Sequence, residues 1–396
     1  MLIVPIEDAE PGMKLALSVS HPENPDHELL HSGFVLDEPV LERLGQLAIR
    51  TLYVDYPGLE DLDRHFAPAL SPARQQIYEQ IKATITTVQR SARPMVTYTN
   101  YYDLTREMIT MLLSQGNNPL YLDLLSTRAG QDAVAHATAV AHLSLNLGIQ
   151  LQGYLVQQRS RLHPKHAREV VNLGVAGMLH DIGKTKLPAE LQKCSCLNPP
   201  EDPDQRKRWE EHVRESYEMI HGGVEATAAA AVLHHHQHFD GSGFPIVTRS
   251  DSTGPLSGER IHVFARILRV ADLYDRLAAR VADHPHTRNL RVLHAMRTQH
   301  AAVLDPNILQ VFAAVVPPFV PGTKVRLSDR ADAVVVAPNA KDPWRPMVKH
   351  VGADGLTPEG GTVSLEMNGA PHIESAGGEP VGEFMPADNE PLGVAA

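Results

Sequence analysis

The chain has 396 residues, of which 43% are hydrophobic and 21% charged, and a net charge of −11. That length supports two or three domains with a well-buried core, and the composition is ordinary for a soluble globular protein. The acidic balance argues against a nonspecific binder of nucleic-acid polymers, which needs a basic surface. It leaves room for a small anionic substrate, because a bound metal ion can dominate the local field.

Residues 1–65 read as a small α+β module. Leu2–Ile6, Lys14–Val19, Gly33–Leu36 and Thr51–Asp55 are short runs with β-branched or aromatic content between turns, and Pro39–Ala48 carries Leu41, Leu44 and Leu47 at helical spacing. The N-terminus lacks a basic stretch followed by a long apolar run, and no segment approaches the ~20 apolar residues of a membrane span. A soluble, cytoplasmic protein is expected. Residues 66–124 supply connecting helices. One begins at Ser71-Pro72, a capping hydroxyl followed by proline at the first helical position, and continues through Ile77, Ile81, Ile85 and Val88. The other runs from Tyr102 to Ser114.

From 125 to 317 the pattern is almost wholly helical, with apolar residues at mixed three- and four-residue steps in Val134–Leu147, Ala167–Leu179, Trp209–Ile220, Ala226–His236, Glu259–Ala279 and Leu290–Val303. Breaks fall at Asn198–Asp204 and Gly241–Gly258. After Pro317-Pro318 come three short strands, Thr323–Leu327, Ala333–Val336 and Met347–Val351, forming a β extension over 318–352. Gly, Pro, Glu and Ala dominate beyond it, so 353–396 is expected to be a flexible tail. The fold class is mainly α: a helical bundle core with a small N-terminal α+β module and a short C-terminal β extension.

Chemistry concentrates in the helical core. His180-Asp181-Ile182-Gly183-Lys184 joins an imidazole to a carboxylate and follows them with a lysine one turn later. With 22 His and 47 acidic residues, roughly two or three His-acid neighbours arise by chance, so the dipeptide alone is weak. Asp132 and His136 lie one turn apart on one helix, His212 on another, His235-His236 close a third, and Asp272 sits in the apolar run Arg266–Leu277. Each histidine alone is more often a packed or exposed residue than a ligand. Several helices presenting His or Asp to one bundle interior are harder to dismiss. Imidazoles with carboxylates suit Fe, Mn or Zn and make a poor all-oxygen cage for Ca or Mg. A carboxylate can bridge two metals, and a bridged pair about 3.5–4 Å apart can deprotonate a water and clamp the attacking and leaving oxygens of a phosphodiester. Lys184 would offer a point charge to a phosphate oxygen. The turn Asp240-Gly241-Ser242-Gly243-Phe244-Pro245 is either a plain surface turn or a loop that brings the Phe244 face beside the cluster, where it could stack on a base. Cys194 and Cys196 are too close together for a useful disulfide and read as cytosolic thiols, with soft metal ligands as the alternative.

The ordered set Leu179-His180-Asp181-Ile182-Gly183-Lys184, Leu191-Gln192-Lys193, His212, His235-His236, Asp240–Pro245 and Arg266–Asp272 resembles the HD-GYP family of bacterial phosphohydrolases over about half the chain. The resemblance implies an HD-superfamily helical bundle with two or three divalent metal ions, often iron or manganese. It implies hydrolysis of cyclic di-GMP to the linear dinucleotide pGpG or onward to GMP. On that basis His136, His180, Asp181 and Asp272 would bind one metal, and Asp181, His212, His235 and His236 the other, with Asp181 bridging. Asp132 stands where some members carry an acid for a third metal.

Departures fall on the substrate side. Phe244 replaces the usual Tyr, which would cost about 0.5–1.5 kcal/mol if the lost hydroxyl bonded a phosphate. Gln237 replaces a Glu, and Ser216 stands where a Gly is usual. After Asp275 the customary Arg-Pro-Tyr-Arg stretch is absent, leaving Arg280 or Arg288 as substitutes. The expected phosphodiesterase therefore has Asp181 and Lys184 as catalytic residues and Lys184, Gly243, Phe244, Arg280 and Arg288 as substrate contacts. Alternatives are an HD hydrolase for another cyclic dinucleotide or nucleotide, or a non-catalytic cyclic di-GMP sensor. A homodimer or a signalling protein is the remaining partner expectation.

Overall fold

The computed structural model describes residues 2–21, 28–47, 49, 51–55, 58, 62, 70–91, 99–114, 133–246, 255–339, 341–352, 358–366 and 369–386. Asp132 lies outside them, as do residues 125–131 of the expected catalytic domain and the last ten residues of the expected tail.

In the N-terminal module β1 (Leu2–Pro5) pairs antiparallel with β4 (Thr51–Val54), Leu2 opposite Val54. A second ribbon joins β2 (Val19–Ser20) to β3 (Glu28–Leu30). Of the stretch expected as a strand over Lys14–Val19, only Val19 enters a ladder, in β2; Lys14 pairs with Val35 and Leu15 with Val54 as isolated bridges, and two separate partners cannot build one ladder. Helix α1 (Glu38–Gln46) starts at Asp37, whose carboxylate accepts from the Val40 N–H at 2.9 Å, satisfying an otherwise orphaned donor.

Helices α2 (Leu70–Arg90) and α3 (Thr99–Ser114) lead into the bundle. Its centre is α4 (Ala133–Gln150), buried on nearly every side from Val134 to Gly148, as an evenly apolar helix must be. It is followed by α5 (Gln152–Gln158), α6 (Pro164–Ala167), α7 (Val171–Leu179), α8 (Ala189–Gln192), α9 (Pro203–Glu210), α10 (His212–Ile220), α11 (Ala226–His234), α12 (Val263–Arg280), α13 (Arg288–Thr298) and α14 (Pro306–Val315). The helix expected over Trp209–Ile220 is two helices meeting at Glu211. The one expected over Leu290–Val303 ends at Thr298 and resumes as a single 3₁₀ turn at Ala301–Val303.

Packing between α4 and α7 sets the site. A Cβ on Gly177 would stand 2.6 Å from the Ala141 Cα, so only glycine allows this approach. One turn along, His180 and His136 meet with their Nε2 atoms 3.2 Å apart. The start of α12 is pinned by Arg266, which is ion-paired to Asp305 at the head of α14 and donates to Gln158 Oε1 at 2.6 Å and to the Ile261 carbonyl at 3.0 Å. The paired charges are buried and multiply bonded, which is what makes them tolerable. Asp272 lies further along the helix that they fix.

The C-terminal sheet is larger than expected. Its antiparallel order is β10-β9-β5-β6-β7-β8, built from β5 (Lys324–Leu327), β6 (Asp332–Ala337), β7 (Met347–Val351), β8 (Pro358–Ser364), β9 (Ile373–Ala376) and β10 (Glu379–Pro380). Three of these strands fall where a flexible tail from 353 is expected. Burial of Leu365, Ile373, Ala376 and Val381 and the grip of Thr287, His284 and Arg291 on Glu379 order that segment despite its Gly- and Glu-rich composition. In β6 both faces are covered. Ala333 and Val335 join the helical core, while Val334 and Val336 join Leu2, Val4, Leu52 and Val54 of the N-terminal module. The period-2 alternation of a strand thus cements the two ends of the chain together.

Buried histidines outside the site make stability acid-sensitive. Among the described residues His142 on α4 has no hydrogen-bond partner on either ring nitrogen. Burial, and secondarily Arg74, lowers its pKa from 6.5 to about 3. Burial, then Arg159 and Arg266, lowers that of His262 from 6.5 to about 4. Below pH 6.5 the unfolded chain takes up protons that the native chain refuses, so stability is full above that value and is lost as the pH falls from about 6.5 towards 3–4. Thermal melts of metal-stripped protein between pH 7 and 4 should show this fall, and His142→Leu should flatten it. An unchanged slope in that variant would mean that His142 carries none of the effect.

Candidate metal centre

Five elements converge on Asp181. His136 comes from α4, His180 and Asp181 from the end of α7, His212 from the first residue of α10, His235 and His236 from the end of α11, and Asp272 from α12. All seven are inside the protein, Asp181 being the most accessible with 10% of its side chain exposed. The Asp181 carboxylate divides the cluster. Its Oδ2 faces His180 Nε2 at 3.5 Å and His136 Nε2 at 3.8 Å, and its Oδ1 faces His212 Nε2 at 3.3 Å and His235 Nε2 at 3.6 Å. Two groups of potential ligands result, Asp181 with His212, His235 and His236, and Asp181 with His136 and His180. Asp272 Oδ1 lies 3.2 Å from His136 Nε2.

The imidazoles are preset as ligands. His180 donates from Nδ1 to the Gly177 carbonyl at 2.8 Å, His212 to that of Trp209 at 2.6 Å and His235 to that of Val232 at 2.7 Å. A carbonyl can only accept, so each proton sits on Nδ1 and each Nε2 presents a lone pair to the cluster. His136 is oriented instead by Asp275, whose Oδ2 lies 2.7 Å from Nδ1, the carboxylate–histidine arrangement that supports metal-binding rings. Burial lowers the pKa of His180 to about 3 and that of His212 to about 4, and it holds His236 well below its ordinary value. Burial opposes ionisation of Asp181 and Asp272. For Asp181 the Lys184 ammonium and the His180 ring outweigh it, and for Asp272 the Arg276 guanidinium does, so both stay well below the usual carboxylate range.

The donor set fits a divalent metal. Asp181 Oδ1, His212 Nε2, His235 Nε2 and both ring nitrogens of His236 are buried with no hydrogen-bond partner among the described residues, and unpaired lone pairs facing one another are costly unless a cation joins them.

Of the expected substrate residues, Lys184 bonds Asp181 Oδ2 at 2.7 Å and stands 5.9 Å over the Trp209 ring. Phe244 packs on the cluster, 4.7 Å from the His236 ring and 5.3 Å from that of Trp209. Gly243 makes this possible. A Cβ there would fall 2.2 Å from the His236 carbonyl, which accepts from the Phe244 N–H at 3.1 Å. Gln237 reaches the Pro245 carbonyl and ties the loop to the His pair. Arg280 is exposed and bonded to the Leu197 carbonyl and to Asn198, and Arg288 is buried at the start of α13. Both cysteines are free, with Cys196 Sγ 3.7 Å from Asp272 Oδ2. Two arginines of α12 escaped the sequence reading. Arg276 bonds Asp272, Asp181 and His136 at 2.7, 2.8 and 2.9 Å, and Arg269 Nη1 lies 3.6 Å from Asp272 Oδ2. Their spacing of four and three residues from Asp272 on one helix was the available signal.

A buried His–Asp cluster carried by separate helices of a bundle has the donor set of a metal-dependent hydrolase. Residues 136–308 match the HD domain family. Over 345 residues the chain is 28% identical to a cyclic di-GMP phosphodiesterase of Pseudomonas aeruginosa, an alignment covering 80% of this chain and 77% of that protein. It is 32% identical over 143 residues to a cyclic di-GMP phosphodiesterase response regulator of Xanthomonas campestris pv. campestris, covering 35% of this chain and 34% of the regulator. It is 31% identical over 146 residues to a probable cyclic di-GMP phosphodiesterase of Vibrio cholerae, covering 35% and 31% respectively. The chain thus resembles the HD domain family over residues 136–308 and, over a longer span, a protein named as a cyclic di-GMP phosphodiesterase. No helix among the described residues is long and apolar enough to cross a membrane.

Proposed function

We propose that this protein is a divalent-metal-dependent phosphodiesterase that hydrolyses cyclic di-GMP to pGpG or GMP. The observation that carries this reading is the shared Asp181 carboxylate between two sets of inward-facing imidazole lone pairs. The activity for which the relatives are named supports the substrate. Asp181, His212, His235 and His236 would hold one ion, and any second ion would have to draw on His136, His180 and Asp272. Iron or manganese suits such a set of nitrogen and carboxylate ligands. A bound metal supplies Lewis acidity at a phosphate oxygen and lowers the pKa of water. The chain supplies the rest. Lys184, held beside Asp181, offers a cation to a non-bridging phosphate oxygen. Trp209 and Phe244 wall the cluster on one side and exclude bulk water there. A guanine base would stack on Phe244.

Phe244→Ala should then raise KM by roughly 5–150-fold, the equivalent of the ~1–3 kcal/mol that a base–aromatic stack contributes, with a smaller change in kcat. Phe244→Tyr should keep KM at or below its wild-type value. Steady-state kinetics on the two variants decide this, and a wild-type KM for the alanine variant would remove Phe244 from the substrate site. The whole reading is tested by metal analysis of protein purified with and without oxygen, coupled to chromatography of products from cyclic di-GMP, other cyclic dinucleotides and linear nucleotides. Metal-dependent release of pGpG or GMP is expected. Turnover of a different nucleotide only would move the enzyme to another substrate. Tight binding of cyclic di-GMP by metal-loaded protein without hydrolysis would make it a sensor, a reading that Arg276 within the ligand cluster favours.

A further inference from the structure

The two halves of the cluster differ in one respect: one already contains a cation. Arg276 Nε donates to Asp272 Oδ1 at 2.7 Å, and its Nη2 lies 2.8 Å from Asp181 Oδ2 and 2.9 Å from His136 Nε2. Three ligand atoms of the His136 half are thereby paired by one guanidinium. On the other half Asp181 Oδ1, His212 Nε2, His235 Nε2 and the His236 nitrogens face one another, and among the described residues none of them makes a hydrogen bond or meets a cation of its own. Charge points the same way. The three carboxylates of the cluster, Asp181, Asp272 and Asp275, are matched by the three cations Lys184, Arg269 and Arg276. A single divalent ion on the unpaired half adds to a balanced site, whereas a second ion would have to displace or oppose a guanidinium that cannot be deprotonated.

We propose that Arg276 is a resident cation that takes the place of one metal ion. The chain then holds a single divalent ion tightly, on Asp181, His212, His235 and His236, and the His136–His180–Asp272 half accepts metal only when Arg276 is removed or swung away. The consequence for substrate is direct. A phosphodiester bound here meets one metal ion and the remaining Nη1 of one guanidinium, a charge-assisted donor for a single phosphate oxygen, in a region where the expected Arg-Pro-Tyr-Arg stretch is missing. This inference rests on the metal-site reading above but is separable from it.

The test is metal stoichiometry, independent of turnover. Wild-type protein, Arg276→Ala and Arg276→Met are loaded with excess Mn²⁺ under anaerobic conditions, desalted and assayed for metal per chain, with circular dichroism to verify folding. One ion per chain is expected in the wild type and two in either variant. The Mn²⁺ electron paramagnetic resonance signal should be that of an isolated ion in the wild type and of a coupled pair in the variants. In the wild-type background His236→Ala should lower the content from one to none, and His136→Ala should leave it at one. Two tightly held ions in the wild type, a coupled signal there, or folded variants that still hold one would overturn the role of Arg276 alone. If wild type and variants all hold none, the metal-site reading fails and this inference fails with it.

Discussion

Asp181→Ala is expected to remove metal retention and hydrolysis together. The carboxylate is the one group that touches both sets of imidazoles, Oδ1 towards His212 and His235 and Oδ2 towards His136 and His180. Loss of a group that merely orients a metal ligand costs about 10–100-fold in metal affinity or activity. Loss of the shared ligand itself should exceed that, so activity is expected to fall by at least about 10²-fold and bound metal to undetectable levels after desalting. A second consequence follows from the cations. Lys184 and Arg276 both lie within 2.8 Å of Asp181 Oδ2, and removing the carboxylate leaves two buried positive groups beside one another. Arg276 retains Asp272, but Lys184 loses its counter-ion. Breaking a buried pair in this way costs about 3–5 kcal/mol, although ammonium deprotonation softens the loss for a lysine whose pKa burial already lowers. Thermal melting of the metal-stripped protein should therefore show Asp181→Ala less stable than wild type, and Asp181→Ala/Lys184→Met should recover part of the difference without recovering metal. Full turnover by a metal-stripped Asp181→Ala protein would defeat the reading of the site.

Much of this centre was legible in the chain because it is carried by residue types with few other uses at those positions. His and Asp within or at the ends of apolar helices have to point into the bundle, and periodicity locates those helices well enough. Arg276 and Asp275 were harder. They directly follow the recognisable stretch of α12, and an arginine there reads as a solvated helix residue. Only three-dimensional packing reveals that the helix face bearing Asp272 and Arg276 turns inward. The chain ends are the other lesson. The run Ala333-Val334-Val335-Val336 has no polar alternation, which is the pattern of a strand covered on both faces, and β6 is so covered. Composition argued for separate terminal pieces, but Val334 and Val336 needed a partner, and the N-terminal module is that partner. Beyond 352 the glycine content hid strands whose burial depends on a few residues such as Ile373 and Val381.

The second large effect falls on a residue with no functional side chain. Gly183 stands between Asp181 and Lys184, in the 3₁₀ turn Ile182–Lys186. A Cβ there would come within 2.2 Å of the His212 carbonyl, 2.5 Å of the Ser216 N and 2.8 Å of the Ser216 Oγ. Two of those atoms are backbone at the start of α10, so no side-chain rotation can relieve the clash, and the turn must move away from the helix that carries His212. The same shift would strain the 2.8 Å hydrogen bond from the Gly183 N–H to Ser216 Oγ. Ser216 itself departs from the glycine that the family resemblance suggests, and here its hydroxyl anchors the turn. Gly183→Ala should therefore destabilise the protein by about 1–3 kcal/mol through overpacking. It should also depress activity by roughly 10²-fold, the scale expected when reacting groups are displaced by about 1 Å. Ser216→Ala loses the hydrogen bond without the clash and should cost only about 0.5–1.5 kcal/mol. Gly153, on α5, provides the contrast: nothing lies within 4 Å of a Cβ built there, and an alanine in a helix is favoured over glycine by roughly 0.5–1 kcal/mol. The same substitution should thus lower the melting temperature at 183 and leave it unchanged or raised at 153. Equal melting temperatures for Gly183→Ala and wild type would mean that the turn is not seated against α10, and the joint placement of Asp181, Lys184 and His212 would then lose its structural basis.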